Sequence, residues 1–377
     1  MVVLVISILS IVLALAYLGL YLFLLKGWKG IETYSLKSSN FKTSVSILIA
    51  ARNEEDKIFS TISDILAQDY PADLFELIVV DDHSSDRTSE IVLSFANRGV
   101  KLIVLNENKP LNSYKKKAIS EAIKFSDSEL IVTTDADCRM GPDWLKTIIG
   151  FYESGDYKMI SAQVIYFEEK SIFEELQTIE FLFLSGLGAA GIGNKMPSTC
   201  NGANLAYRRE VFIELKGFQG IDDLASGDDE LFLHKVASVY PDGIGFCKSK
   251  DAVVYTHAKG NLDEFIQQRK RWASKSTRYK NKAIIFIGLL VWLFNFIVIL
   301  NAILGFFNPI YWYFYLGISS LKLIAEMTFM IPICRFANRS KLLWYMPFLT
   351  VIHMFYLMYI GIAGNTGKYR WKGRLVR

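Results

Sequence analysis

Val45-Ser46-Ile47-Leu48-Ile49-Ala50-Ala51-Arg52-Asn53-Glu54-Glu55 is the stretch that decides the fold. It opens as a short apolar run rich in β-branched residues, the composition of a strand buried on both faces, and stops on a polar turn at Arg52. From Glu54 to Gln68 the apolar residues Ile58, Ile62, Ile65 and Leu66 recur at helical spacing. Leu77–Val80 is a second buried strand, ending in Asp81-Asp82-His83-Ser84-Ser85-Asp86, and Ser85 is placed to cap a helix through Asn97. Val100–Leu105, Tyr114–Phe125 and Leu130–Thr134 continue the alternation as strand, helix and strand. This order predicts βαβ units and an α/β fold with a mostly parallel sheet flanked by helices. Ligands of such sheets bind beyond the carboxyl ends of the strands.

The polar clusters Arg52-Asn53-Glu54, Asp81-Asp82 and Asp135-Ala136-Asp137 all fall at that edge. No GxGxxG follows the first strand and no GxxxxGK[ST] occurs, so a dinucleotide oxidoreductase and a P-loop NTPase lose their main support. Asp135 and Asp137 flank one residue at a strand end. Two hard oxygen donors at that spacing suit Mg²⁺ or Mn²⁺ held jointly with a diphosphate. Lys115-Lys116-Lys117 open a helix at the same edge, which reads either as an anion site or as a solvated face.

Beyond this body the chain turns apolar. Its 377 residues hold 42 basic and 38 acidic side chains, of which residues 1–282 contain 33 and 37 and residues 283–377 only nine and one. A mixed-charge body with a basic, apolar tail predicts a membrane protein with a soluble domain and excludes a nucleic-acid binder. Residues 1–25 contain no charge and are followed by Lys26 and Lys29, which predicts an uncleaved anchor with the domain after it, 41–282, in the cytoplasm. Ala283–Phe307, Ile310–Cys334 and Leu342–Gly364 are further candidate spans within 283–364, and 365–377 is a basic tail. Lys322 and Glu326, four apart inside the second candidate, can neutralise each other or mark a substrate path.

Arg335, Arg339 and Lys341 place one end of Leu342–Gly364 in the cytoplasm, and Lys368, Arg370, Lys372, Arg374 and Arg377 place the other there. That segment is therefore re-entrant or interfacial, or the tail breaks the charge rule. Ile172–Gly193 reads as an amphipathic helix at the membrane interface, with core packing as the alternative. Cys138, Cys200, Cys247 and Cys334 form no CxxC pair and suggest neither zinc nor a disulfide framework.

Taken in order, Val45–Glu55, Val79–Asp86, Thr134–Asp137, Asn201–Arg209, Gly227–Glu230 and Gln268–Trp272 resemble the membrane-bound family 2 glycosyltransferases, among them cellulose and hyaluronan synthases and lipid glucosyltransferases. The resemblance implies a GT-A fold and an inverting transfer from a nucleotide sugar, usually a UDP-sugar, to an acceptor hydroxyl. It implies that Ala50, Asn53, Glu54, Asp81 and Asp82 hold base and ribose, that Lys115 and Asp135 meet the diphosphate, and that Asp135 and Asp137 hold Mn²⁺ or Mg²⁺. Asp229 matches the catalytic base, preferred over Asp228 because Lys235 falls where relatives carry a basic residue. Asn201, Gly202, Asn204, Gln268, Arg271 and Trp272 fall at acceptor and channel positions. Tyr114 stands where a glycine usually precedes the lysine motif, and Gly227 where many members carry Glu.

The implied protein is a metal-dependent enzyme integral to the cell's inner membrane, working at its cytoplasmic face among membrane lipids. Few candidate spans favour a lipid or lipid-linked acceptor over a glycan chain made by a processive polysaccharide synthase. A non-catalytic, sugar-nucleotide-binding partner of a synthase is the rival from another class.

Overall fold

The computed structural model describes all residues except 38–39, 108–110, 364–368, 372–373 and 377, and of 369–371 and 375–376 only the backbone. Helix α1 (Val2–Gly30) is followed by β1 (Val45–Ala51), α2 (Ile58–Leu66), β2 (Phe75–Asp81), α3 (Thr88–Leu93), β3 (Lys101–Val104), α4 (Tyr114–Lys124) and β4 (Leu130–Asp135). Then come β5 (Arg139–Met140), α5 (Trp144–Glu153), β6 (Met159–Ala162), β7 (Val164–Tyr166) and α6 (Ile172–Gly193). β8 (Leu205–Arg208), α7 (Arg209–Glu214), α8 (Glu230–Val239), β9 (Ile244–Cys247) and β10 (Val254–Thr256) complete the α/β body. The chain ends in α9 (Leu262–Ala273), α10 (Lys282–Leu304), α11 (Ile310–Phe336), α12 (Met346–Ala363) and a hairpin of β11 (Tyr369–Trp371) and β12 (Arg374–Val376).

Seven strands form the main sheet in the order β3-β2-β1-β4-β8-β6-β9. The first four are parallel, β8 runs against both neighbours, and β6 and β9 are parallel to each other. Ala51 pairs with Asp81 and Ala50 with Asp135, so the register sets two carboxylates on either side of the end of β1. The expected strands and helices are present. Ser85, expected as a cap, instead donates its backbone N–H to Asn53 Oδ1 at 2.8 Å, while the Asp86 carboxylate takes the Thr88 N–H at 3.0 Å and starts α3.

Five stretches among the described residues are long and apolar enough to cross a membrane: α1, α6, α10, α11 and Ser340–Ala363. The interfacial expectation for α6 is corrected, because its polar residues Gln177, Thr178 and Glu180 are buried together with Ile179, Phe181 and Leu182. Glycines make that packing possible. A Cβ at Gly27 of α1 would collide with the Ala190 carbonyl, and one at Gly186 with Ile333 of α11. Without Cβ atoms there the helices pass close enough to bury much of α6.

The flanks of the last apolar segment both make contacts with the rest of the protein. At its start, Tyr345 donates to Glu175 at 2.8 Å, and just before it Arg339 reaches Glu169 at 3.3 Å. Beyond its end, Arg374 reaches Asp82 at 2.8 Å. Both flanks of α12 therefore lie against the α/β body. Between them, α12 rests on α9 and α6 through Tyr359 over Lys270 and Tyr356 bonded to Glu180. Of the tail residues on which the charge argument drew, 368, 372 and 377 lie outside the described residues, as do Gly364, Gly373 and the side chains of Arg370 and Trp371.

Candidate active site

The carboxyl edge of the parallel strands opens into a cavity of about 690 Å³. Ala50, Glu54, Asp82, Lys115, Asp135 and Asp137 line one end, Asn201, Gly202, Asp228, Asp229 and Gln268–Trp272 its middle. Asn53 and Asp81 do not line it. Asp81 accepts from the hydroxyls of Ser84 and Ser89, and Asn53, whose φ is 51°, accepts from Ser85. They fix the two strand-end loops to each other. Asn204 is also displaced from its expected place: its amide donates to Gln163 O and Ala252 O and accepts from Trp144, all in the core.

Charges in this cavity are arranged as chains. Lys115 Nζ bridges Asp135 at 2.7 Å and Asp228 at 3.3 Å. Burial would lower the lysine's pKa, but the two carboxylates override it and hold the ammonium protonated. Asp229 caps α8 by accepting the Glu230 N–H at 2.6 Å, and accepts the Gly202 N–H at 3.3 Å. Gly202 leaves room for these carboxylates, since a Cβ there would stand 3.4 Å from Asp229 Cβ and 3.2 Å from Asp228 Oδ2. Burial pushes the Asp229 carboxyl up, yet Lys275 at 3.5 Å and the Glu230 N–H pull it down to about 2. The preceding Gly227 has φ 86°, a left-handed conformation that favours glycine over any residue with a Cβ.

Asp135 and Asp137 are 40% and 25% exposed, with Lys115 and Lys57 as cationic neighbours. Two partly exposed carboxylates one residue apart are the donor type that a hard divalent cation takes, with its remaining positions left for a diphosphate. Arg271 and Trp272 lie on the opposite wall, and Trp272 stacks on Phe181 at 5.9 Å. The neighbouring Arg269 turns away, bonding Glu180 at 2.7 Å, which removes it from any surface phosphate cluster. Lys235 bonds Gly217 O at 2.6 Å and lies outside the cavity lining, so it gives no reason to choose between Asp228 and Asp229.

Residues 46–216 match the family model for Glycosyl transferase family 2. The chain carries a family 2 glycosyl transferase domain. It is 29% identical over 245 residues to the probable glycosyltransferase YdaM of Bacillus subtilis, covering 61% of this chain and 54% of that one. A β-monoglucosyldiacylglycerol synthase of Trichormus variabilis is 31% identical over 109 residues, 29% of this chain and 23% of that one. The chain thus spans about half or less of these relatives. A mannosyltransferase of Pyrobaculum calidifontis, solved with GDP-Man and Mn²⁺, superposes with a TM-score of 0.61 at 19% identity, covering 96% and 98% of the two chains. That likeness shows the GT-A fold.

The family 2 match ends at residue 216, before the Asp228-Asp229 pair and the Gln268–Trp272 stretch. Several residues of the cavity escaped sequence reading. Lys275 and Tyr279, on the wall beside Asp229, follow the Gln268–Trp272 stretch by one helical turn or two, and that periodicity was the available signal. Lys116, within the lysine run, is buried and donates to the carbonyls of Ile221, Leu224 and Ser226, holding the loop ahead of Asp228.

Proposed function

We propose that the protein transfers a sugar from a nucleotide sugar, a UDP-sugar by resemblance, to the hydroxyl of a lipid or lipid-linked acceptor, inverting the anomeric centre, at the cytoplasmic face of the cell's inner membrane. The observation that supports this is the continuity of the cavity. It runs from the strand-end carboxylates past Asp229 and Trp272 to an apolar wall of Ile287 and Val291 on α10 and Leu357 and Ile360 on α12. A soluble acceptor needs no such wall.

Ala50, Glu54 and Asp82 are assigned to the base and ribose, with Asn53 and Asp81 shaping the loops beneath them. Asp135 and Asp137 would hold Mn²⁺ or Mg²⁺, which when bound stabilises the charge of the departing diphosphate. Lys115 and Arg271 face the same diphosphate from two sides. Trp272 offers the sugar a flat apolar surface, and Asn201, Gly202 and Gln268 frame the acceptor's approach. The acceptor oxygen bonds to the anomeric carbon as its proton passes to Asp229. The bond from that carbon to the diphosphate oxygen breaks on the opposite face, releasing the nucleoside diphosphate. Asp229 is ionised at neutral pH, as this role requires, and Asp228 is the alternate.

The test is transfer from a panel of radiolabelled UDP- and GDP-sugars to membrane lipid extract by the purified protein in vesicles. EDTA should abolish transfer and Mn²⁺ or Mg²⁺ restore it. Full activity in EDTA overturns the metal assignment, a long glycan product the single transfer, and failure of every donor the enzymatic reading.

A further inference from the structure

The membrane-side half of the cavity sets two buried, ion-paired carboxylates beside its apolar wall. Glu180 is bonded by Arg269 at 2.7 Å and by the Tyr356 hydroxyl at 2.8 Å. Glu326 is bonded by Lys322, by the Tyr17 hydroxyl at 2.7 Å and by Thr350 at 2.8 Å. Each of these two carboxylates has its own cation, Arg269 for Glu180 and Lys322 for Glu326.

His353 of α12 lies near both carboxylates. Its ring stacks on Tyr356 at 5.3 Å, and it lines the cavity close to Leu349 and Leu357. Its Nε2 is shielded from solvent and has no hydrogen-bond partner among the described residues. A buried ring nitrogen left unpaired is unfavourable, and a ligand atom that pairs with it removes that cost. A phosphate placed here would meet two carboxylates whose cations are already engaged, whereas a neutral oxygen would need only one hydrogen bond.

We propose that this half of the cavity receives the upper chain of an uncharged lipid, and that His353 bonds a neutral ester or hydroxyl oxygen adjacent to the lipid's acceptor hydroxyl. The inference rests on the reading of the protein as a lipid glycosyltransferase and narrows its acceptor to neutral lipids. His353 is then a specificity-determining residue. It distinguishes a lipid with a second oxygen beside the acceptor from one without, and Glu180 and Glu326 disfavour an anionic headgroup.

The experiment uses the full chain in phosphatidylcholine vesicles with dioleoylglycerol, oleyl alcohol or undecaprenyl phosphate as acceptor, and whichever donor supports transfer. Dioleoylglycerol should exceed oleyl alcohol in kcat/KM by about tenfold or more, since one buried polar group left unpaired is enough for that ratio. Undecaprenyl phosphate should be poorest. His353→Leu should collapse the dioleoylglycerol preference to within about threefold, and His353→Gln should restore part of it. A merely structural role would not change this ratio.

Undecaprenyl phosphate as the best acceptor, a preference unchanged in His353→Leu, or transfer to extract lipids but to none of the three probes would each overturn the proposal. UDP binding by calorimetry with Mn²⁺ separates these failures from that of the reading beneath them. If the protein binds no nucleotide and transfers to no lipid, the glycosyltransferase reading has failed. If it binds and transfers without this preference, the neutral-acceptor inference alone has failed.

Discussion

The donor end and the membrane end of the cavity balance their charges differently. At the donor end, the contacts of Arg374 with Asp82 and of Lys115 with Asp228 apart, the partners are local in sequence or on neighbouring strand ends: Asp81 with Ser84, Asp86 with Thr88, Lys115 with Asp135 twenty residues on. At the membrane end, the Lys322–Glu326 pair apart, they are far apart in the chain. Tyr17 and Glu326 are separated by 309 residues, Glu180 and Tyr356 by 176, Glu180 and Arg269 by 89. The first end is assembled by strand register and turn chemistry. The second exists only when α1, α6, α9, α11 and α12 have packed together. Damage at the donor end should therefore register in chemistry or nucleotide affinity, and damage at the membrane end in stability or acceptor choice.

The largest effect should come from the carboxylate where the two ends meet. Asp229→Asn keeps the shape of the α8 cap but removes the proton acceptor. It should lower turnover by about 10²–10⁴ while leaving UDP affinity within a few-fold, the usual range for a positioned acid–base group. Single-turnover transfer measured beside calorimetric UDP binding checks it. If Asp228→Asn behaves this way and Asp229→Asn does not, the base is the carboxylate that Lys115 holds.

The same contrast governs what could be read from sequence. The strand ends were legible, because period, polar punctuation and Asp spacing are properties of short windows, and register then places Asp81 and Asp135 beside β1. Roles that depended on which way a side chain turns were not. Asn204 looked like an acceptor residue but is bonded to Trp144, and Arg269, inside the Gln268–Trp272 stretch, is paired with Glu180. α6 was misjudged for a related reason. Glu174, Glu175 and Glu180 gave it an amphipathic pattern, and nothing local announces that Glu180 meets its counter-charge on α9. Lys322 and Glu326 were paired correctly by their spacing, but Tyr17 and Thr350 came from other helices.

Next in size is the Arg269–Glu180 pair, with side chains 2% and 7% exposed. Arg269→Met leaves a carboxylate buried without its cation, a defect that costs about 3–5 kcal/mol. Thermal unfolding should reveal a lowered midpoint, and Arg269→Met with Glu180→Gln should recover most of it, because both charges are then gone. A single variant as stable as the parent would show that water reaches Glu180, and the membrane end would then be no drier than the donor end.

Lys275 sharpens the comparison by its pH signature. It sits 3.5 Å from Asp229 and helps hold that carboxyl at about 2. Asp229 has a lower pKa folded than unfolded, so its contribution to stability is present above about pH 4 and is lost as the pH falls toward 2. In Lys275→Met the upward push of burial is opposed only by backbone N–H groups and the more distant Lys115. The acid limb of kcat/KM should then move up by about one to two pH units, with activity at neutral pH less affected. An unmoved limb would mean that another group controls it.

The smallest effect expected is at Arg374, where the chain's end returns to the donor edge. Its guanidinium takes both oxygens of Asp82, at 3.0 and 2.8 Å, and lies 3.5 Å from the centre of the Tyr114 ring. Asp82 is 2% exposed on its side chain, so the pair is partly shielded and worth more than a surface contact. Arg374 neutralises a carboxylate that would otherwise repel an anionic donor. Arg374→Gln should raise the KM for the nucleotide sugar about three- to tenfold without changing kcat, as befits one partly screened charge. Membrane yield should not change, whereas a tail that served only as an anchor would lose yield and keep its KM. A fall in KM would give the opposite sign: the pair would then be holding Asp82 away from the ribose, and the donor end would have to open before each transfer. Lys, which keeps the charge but not the flat stack on Tyr114, should recover only part of the donor affinity if neutralisation and stacking both contribute.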